Sequence, residues 1–123
     1  MDVFRAARVG DLGFITEYAK RGGGLDVQDH NGMTPLMHAV DNANTAIVDF
    51  LIKAKANLNV TDKYNQTALI LAAGRGLAEI ARLLLAAKPD LKVRAVSGAS
   101  ALDFAVENGR EEVARLLRKA GAR

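Results

Sequence analysis

One eight-residue pattern occurs three times in the chain at a constant spacing, and this period limits the possible folds more than any other feature. The copies are MTPLMHAV at 33–40, QTALILAA at 66–73 and ASALDFAV at 99–106, so each copy begins 33 positions after the last. Each copy begins a helix, because the hydroxyl of Thr34, Thr67 or Ser100 can accept a hydrogen bond from an unpaired N–H of the first turn. A fixed period of this length predicts a chain built from stacked, equivalent units.

Alignment of the copies divides the 123 residues into four units, each with two helices. The units are 1–33, 34–66, 67–99 and 100–123, with Met1 in the column of the helix-capping residue. The predicted first helices are 2–9, 34–42, 68–75 and 101–108, and the predicted second helices are 12–20, 45–54, 78–87 and 111–120. Apolar residues recur at helical spacing in the second helices. In the second unit these are Ile47, Val48, Phe50, Leu51 and Ile52, which we expect to be buried.

The segments between units also repeat at constant phase. Each carries Leu-x-Val followed by a turn, at 25–32, 58–65 and 91–98. The first of these turns contains Asn31-Gly32, a strong turn signal. Because few residues are available in each segment, we predict short β-hairpin-like loops rather than a sheet.

The end units differ from the inner ones in a way that fits the ends of a stack. Ile52 and Leu85 are followed one period later by Arg118, whereas Leu51 and Leu84 are followed by Leu117. One flank of the last helix is therefore charged, as a terminal repeat requires. No loop segment precedes the first helix, so we expect the first and last units to be caps of a complete stack.

The repeating unit resembles the ankyrin repeat, which has about 33 residues and a Thr-Pro-Leu motif at the start of its first helix. The second unit matches the pattern best, with Thr34-Pro35-Leu36 followed by Ala39 and then Ile47-Val48 and Leu51. The resemblance covers the whole chain. It implies an all-α fold of helix-turn-helix repeats with short hairpin-like loops, an ankyrin-type α-solenoid that forms one domain over residues 1–123.

The chain departs from the family pattern at three kinds of position, and the first is the glycine between the two helices of a unit, which is replaced by Ala43 in the second unit. The family usually has His after Thr-Pro-Leu, and this column holds Met37, Ile70 and Asp103. The Gly expected after the second helix is replaced by Lys55 and Lys88. If these two sites have a left-handed backbone, each lysine costs about 1 kcal/mol relative to glycine.

The composition argues against several function classes. The chain has no Cys, and its two His, His30 and His38, have no acidic cluster beside them, so we expect no metal site, no cofactor and no catalysis on a small-molecule substrate. The longest apolar run, 68–73, is too short to span a membrane. The first residues lack the pattern of a signal peptide. We therefore expect a monomeric cytoplasmic protein, or a nuclear one in a eukaryote.

The resemblance implies a non-enzymatic protein–protein interaction module whose partner, another protein, docks on the concave face of loop tips and first helices. Matching columns give the candidate residues, which are His30, Asn31, Met33, Asp41, Asn42, Lys63, Tyr64, Gln66 and Arg75. Tyr64 is the strongest candidate, since interface hot spots are rich in Tyr and Arg and no other loop turn has an aromatic residue.

Two alternatives remain open. The chain could inhibit or stabilise one particular enzyme, as some ankyrin repeat proteins do. It could also be a nucleic-acid-associated adaptor, because residues 63–95 hold six Lys/Arg against two Asp/Glu, a net charge of +4 in a chain whose total is +3. The basic residues are Lys63, Arg75, Arg82, Lys88, Lys92 and Arg94. No aromatic residues alternate with them for base stacking, so this alternative is the weaker one.

Overall fold

The computed structural model describes all 123 residues and contains eight helices and no strand. The helices are α1 (Val3–Val9), α2 (Leu12–Lys20), α3 (Pro35–Asp41), α4 (Thr45–Lys53), α5 (Ala68–Arg75), α6 (Ala78–Ala86), α7 (Ala101–Glu107) and α8 (Glu111–Lys119). Every predicted helix is present, and each boundary lies within one residue of its prediction. None of the eight has the length and hydropathy that a membrane-spanning helix requires.

The first helices of the inner units begin as the repeat predicts. The Thr34 hydroxyl accepts from the Met37 N–H, and the Thr67 hydroxyl accepts from the Ile70 N–H, both at 3.2 Å. The first unit is the exception, because the side chain of Met1 has no oxygen to accept a hydrogen bond. Asp2 caps α1 instead, and the prediction that placed Met1 in the capping position is wrong by one residue.

The helices form two layers. The first helices of the units (α1, α3, α5 and α7) pack side by side in chain order as an inner layer, and the second helices (α2, α4, α6 and α8) pack against them as an outer layer. Small side chains allow the inner helices to approach closely. Every inner helix has a fully buried alanine at the same position of the repeat, and these residues are Ala6, Ala39, Ala72 and Ala105.

The outer layer is less buried than the sequence pattern indicated. Leu51, Leu84 and Leu117 are fully enclosed between the layers. Phe50 and Ile52, which were also predicted to be buried, are only half-buried. The reason is that no third layer covers the outer helices.

The loops between units are the predicted hairpin-like turns. In each loop one backbone N–H donates across the turn to a carbonyl four residues on, as from Asp62 to Gln66 at 3.0 Å. An isolated bridge between Arg94 and Ser100 is the only β-type pairing. Neighbouring loops are joined to each other by backbone hydrogen bonds, so their tips form one continuous row.

Lys55 and Lys88 both have the left-handed backbone that the family pattern suggested, with φ of 68° and 57°. Gly22 and Gly121 stand in the same column of the end units, with φ of 80° and 97°. A side chain at such a backbone angle crowds the adjacent carbonyl oxygen, whereas glycine does not.

Replacing both Lys55 and Lys88 with glycine is therefore expected to raise the free energy of unfolding by about 1–2 kcal/mol in total. The gain from relief of strain exceeds the extra entropy that glycine gives the unfolded chain. Urea unfolding followed by circular dichroism measures the change. Arg115→Gly, in the middle of α8, is the control and should destabilise by roughly 0.5–1 kcal/mol. A loss of stability in the double variant would show that the lysine side chains make contacts worth more than the strain.

Candidate protein-binding surface

The nine predicted binding residues lie on the first two loop tips and on the C-terminal ends of α3 and α5. We call the surface formed by the three loop tips and the exposed ends of the inner helices the inner face. Five of the nine residues are exposed and four are half-buried. The exposed ones are His30, Asn42, Lys63, Tyr64 and Arg75, and the half-buried ones are Asn31, Met33, Asp41 and Gln66.

An aspartate holds each of the first two loop tips in shape. Asp29 Oδ1 accepts from the backbone N–H groups of Asn31 and Met33, at 2.9 and 3.0 Å. Asp62 occupies the same place in the next unit and accepts from Tyr64 and Gln66 in the same way. The candidate residues on these tips are therefore carried by rigid turns rather than by open loops.

Asp29 makes a further contact that Asp62 cannot make. Its Oδ2 lies 2.7 Å from Nε2 of His38, which is on α3 and almost fully buried. Phe4 of α1 packs edge-on against the imidazole, with the ring centroids 5.6 Å apart. Since an ionised carboxylate can only accept, Nε2 of His38 carries the shared proton.

The pKa of Asp29 reflects this environment. Burial by itself raises the pKa of a carboxyl group, but hydrogen bonds from His38 and from the N–H groups of Met33 and Asn31 stabilise the charged form. The hydrogen bonds dominate, and the pKa of Asp29 lies below its ordinary value of 3.8. The carboxylate is thus a charged structural group at neutral pH.

The second and third tips present an exposed apolar pair. Tyr64 is 51% exposed and Val96 is 72% exposed, and the Val96 N–H donates to the Tyr64 carbonyl at 2.9 Å. The Lys63 ammonium lies 5.2 Å from the centroid of the Tyr64 ring. Tyr64 therefore lies between an apolar neighbour and a cationic one, a combination that suits protein recognition.

The ends of the inner helices are linked by polar contacts. Arg75 of α5 pairs with Asp41 of α3, with 3.3 Å between Nη1 and Oδ1. One step further along the stack, the Asn108 amide donates to the Gly74 carbonyl at 3.1 Å. Asp41 and Arg75, predicted separately from the repeat columns, therefore form one ion pair and neutralise each other.

Two of the predicted residues contribute more to the loop than to its surface. Met33 packs its side chain against the core. Gln66 closes the second tip through its backbone, since its N–H donates to Asp62 Oδ1 and its carbonyl accepts from the Asp62 N–H. Only part of either side chain is exposed.

The His38–Asp29 contact and the hydrogen bond between Val96 and Tyr64 were not predicted from the sequence. Val96 lies in the column of His30 and Lys63, so its place at a tip could be found from the repeat, although its pairing with Tyr64 could not. The sequence held one indication that Asp29, the partner of His38, has a structural role. An aspartate recurs in the same column of the next unit, at Asp62. That recurrence indicates a fixed role for this carboxylate in the turn.

The inner face exposes hydrogen-bonding groups, an ion pair and apolar side chains. His30 is exposed on the first tip, whereas His38 is engaged by Asp29. No group of three or more His, Asp or Glu side chains gathers in a way that could hold a metal ion. The groups of this face are thus suited to binding a macromolecule.

Comparison with protein families gives one match. A family model described as ankyrin repeats (3 copies) matches residues 3–95 and also residues 56–123, so the two matches together span nearly the whole chain. No curated protein matches the sequence at a significant level. With its constant repeat period, two helical layers and row of hairpin-like tips, the chain belongs to the ankyrin repeat family.

Proposed function

We propose that the chain binds a partner protein through its inner face, with Tyr64 and Val96 at the centre of the contact. Ankyrin repeats generally mediate protein–protein interactions and are typically not enzymes. The observation that carries the proposal is the exposure of this apolar pair on tips that are held in place by hydrogen bonds. A rigid, exposed aromatic side chain loses little conformational entropy when it is covered, which makes it an effective anchor.

The surroundings of the pair support this assignment. Lys63 and His30 supply exposed polar groups along the row of tips, and the Asp41–Arg75 ion pair borders the apolar centre on the helix side. An apolar centre with a polar rim is the usual arrangement of a protein interface. An enzyme inhibitor would use the same face, so the two functions differ only in the identity of the partner.

The charges of residues 63–95 do not favour nucleic acid. The three arginines of this stretch are engaged by acidic groups: Arg75 by Asp41, Arg82 by Glu112 and Arg94 by Asp103. This leaves Lys63, Lys88 and Lys92, and Lys63 is the one of these at a loop tip. Salt-dependent binding to phosphates requires several free cations on one surface.

Substitution of Tyr64 by alanine together with Val96 by serine is expected to lower affinity for the partner at least tenfold, since hot-spot residues each contribute about 2 kcal/mol or more. The measurement is quantitative mass spectrometry of proteins retained from a nuclease-treated native lysate. Both side chains are exposed, so the free energy of unfolding should stay within about 0.5 kcal/mol of wild type.

Val106→Ser is the matched control. Val106 is 51% exposed, like Tyr64, but it faces the open end of the stack, where it lines a cavity with Gly109, Arg110 and Ala114 of the last unit, and not the inner face. The control should retain the same partners as wild type. An unchanged set of partners in the Tyr64/Val96 variant, or an equal loss in both variants, would refute the assignment to the inner face.

A further inference from the structure

Two equivalent grooves lie on the edge of the stack where the outer helices end, away from the inner face. The first has a volume of about 250 Å³ and the second about 370 Å³. The first is lined by Ile52, Lys55, Ala56, Leu58 and Ala87, and the second by Leu85, Lys88, Pro89, Leu91 and Ala120. Every residue of the second groove stands one repeat period after its counterpart in the first, so one site occurs twice.

Each groove is lined by aliphatic side chains and by one exposed lysine. Ile52 and Leu58 are half-buried in the first groove, and Leu85 and Leu91 have the same exposure in the second. Each volume exceeds the roughly 150 Å³ that accommodates a benzene molecule, so an aliphatic side chain fits in each groove. Neither lysine takes part in an ion pair, which leaves both ammonium groups free for a ligand.

The lysines occupy positions where glycine would be less strained. Both have the left-handed backbone, and the end units have glycine in this column. Strained residues are commonly retained at functional sites, where the side chain is worth more than the lost stability. A lysine at both grooves, in a column where the end units have glycine, gives the two sites the same cationic group.

The nearby carboxylates offset only part of the positive charge on this edge. Asp49 pairs with Lys53, and Asp26 and Asp90 keep their negative charge while they accept backbone N–H groups of Asn57 and Lys92. Lys20 and Lys119 add further exposed cations at the ends of α2 and α8. The edge is therefore complementary to an anionic ligand.

We propose that these two grooves bind an acidic segment of a partner protein in the polyproline II conformation. Neighbouring helices lie about 8–10 Å apart, so equivalent groups of the two grooves repeat at that spacing. A polyproline II chain rises about 9 Å per turn of three residues and places every third side chain on one face. A segment with a carboxylate and an aliphatic residue in each triplet therefore pairs with Lys55 and Lys88 while it fills both grooves.

Other anionic partners fit this edge less well. A membrane surface is bound by protruding apolar side chains, whereas the aliphatic groups here line grooves. Single-stranded nucleic acid requires exposed aromatic side chains for stacking, and neither groove is lined by one. Narrow, periodic grooves favour a single extended polypeptide.

The test uses a fluorescein-labelled peptide of four Glu-Val-Pro triplets and measures fluorescence anisotropy at 50 and 150 mM NaCl, salt concentrations at which exposed charges are partly screened. Wild type should bind this peptide saturably and should bind the Gln-Val-Pro version at least tenfold more weakly. Lys55→Gly with Lys88→Gly should weaken binding about tenfold. The same variant should unfold at a higher urea concentration, so binding and stability change in opposite directions.

Two further double variants separate a specific site from general attraction. Lys20→Gln with Lys119→Gln removes the same charge from the same edge outside the grooves, and should weaken binding less than twofold. Ala87→Leu with Ala120→Leu fills the grooves without a change in charge, and should abolish binding. Tyr64→Ala should leave peptide binding unchanged, because the inner face is a separate surface.

Several results would overturn the proposal. These are no binding of the peptide by wild type at 50 mM NaCl, and equal weakening by both pairs of lysine substitutions. Binding of phosphatidylserine vesicles or of a labelled oligonucleotide with the same dependence on Lys55 and Lys88, but no binding of the peptide, would assign the edge to a different class of partner. None of these results bears on the inner face, which is tested by its own variants.

Discussion

Leu84→Ala is expected to lower the free energy of unfolding by about 3–5 kcal/mol, a large loss for a single truncation. Leu84 is fully buried on α6 in the third unit, which has a neighbouring unit on each side. The substitution removes buried apolar area and leaves a cavity that the packed layers can fill only in part. Urea unfolding followed by circular dichroism gives the difference from the shift in midpoint.

Two alanine substitutions provide the comparison for Leu84. Leu117→Ala removes the equivalent side chain from α8, where only one neighbouring unit is present, and is expected to cost about 2–3 kcal/mol. Leu85→Ala removes a half-buried side chain next to Leu84 and should cost about 1 kcal/mol. Equal losses in Leu84→Ala and Leu117→Ala would mean that the free energy does not depend on the position of a unit in the stack. An equal loss in Leu85→Ala would mean that burial does not determine the cost of the truncation.

The constant repeat period made most of the fold predictable. A repeating hydroxyl residue fixed the start of the inner helices, and the apolar spacing identified the outer ones. The repeat also assigned the left-handed positions, since Lys55 and Lys88 take the place of an expected glycine and do have a positive φ. These features depend on local chemistry that recurs in every unit, so the copies that match the pattern well predict the structure of those that match it poorly.

The features that sequence reasoning missed depend on contacts between elements. Phe50 and Ile52 follow the same helical pattern as Leu51, but their burial depends on what lies outside the outer layer. Met1 matched the capping column by position, yet only Asp2 has a side chain that can accept the hydrogen bond. The repeat period gives the position of a residue within its unit, whereas the chemistry of its side chain decides whether it can cap a helix.

The column usually occupied by histidine shows the same limit. Here Asp103 completes a capping box with Ser100, and its pKa is lowered chiefly because the Ser100 backbone N–H donates to its carboxylate. His38, one position after the family histidine, bonds instead to the turn residue Asp29. Each unit thus holds its turn and first helix together in a different way, and the family pattern alone does not reveal which.

The candidate site was predictable as a surface but not as a set of contacts. Repeat columns placed residues such as Tyr64 and Arg75 on the inner face, because equivalent positions align in a stack. They did not show that Asp41 and Arg75 neutralise each other, or that the Val96 N–H donates to the Tyr64 carbonyl. Both contacts join residues of different units, and their geometry depends on the offset between neighbouring units.

Asp29→Asn is expected to lower the free energy of unfolding at pH 7 by about 2 kcal/mol, because hydrogen bonds to a charged, largely buried group are worth about 1.5–3 kcal/mol. The Asp29 carboxylate accepts from two backbone N–H groups and from His38. An amide at this position carries no charge and can satisfy only part of this set. The measurement is chemical unfolding at a series of pH values, with circular dichroism as the signal.

The stability lost in Asp29→Asn should depend on pH, and the lowered pKa of Asp29 determines the direction of that dependence. Its pKa is lower in the folded than in the unfolded chain, so its contribution to stability is complete above the ordinary value of 3.8 and is lost as the pH falls below that value toward the folded pKa. Wild type and Asp29→Asn should therefore converge in stability at acidic pH. Asp62→Asn, which removes the same turn contacts without a histidine partner, should cost less at pH 7. Equal losses in the two variants at pH 7 would mean that the link from the first loop tip to His38 adds nothing to the stability of the stack.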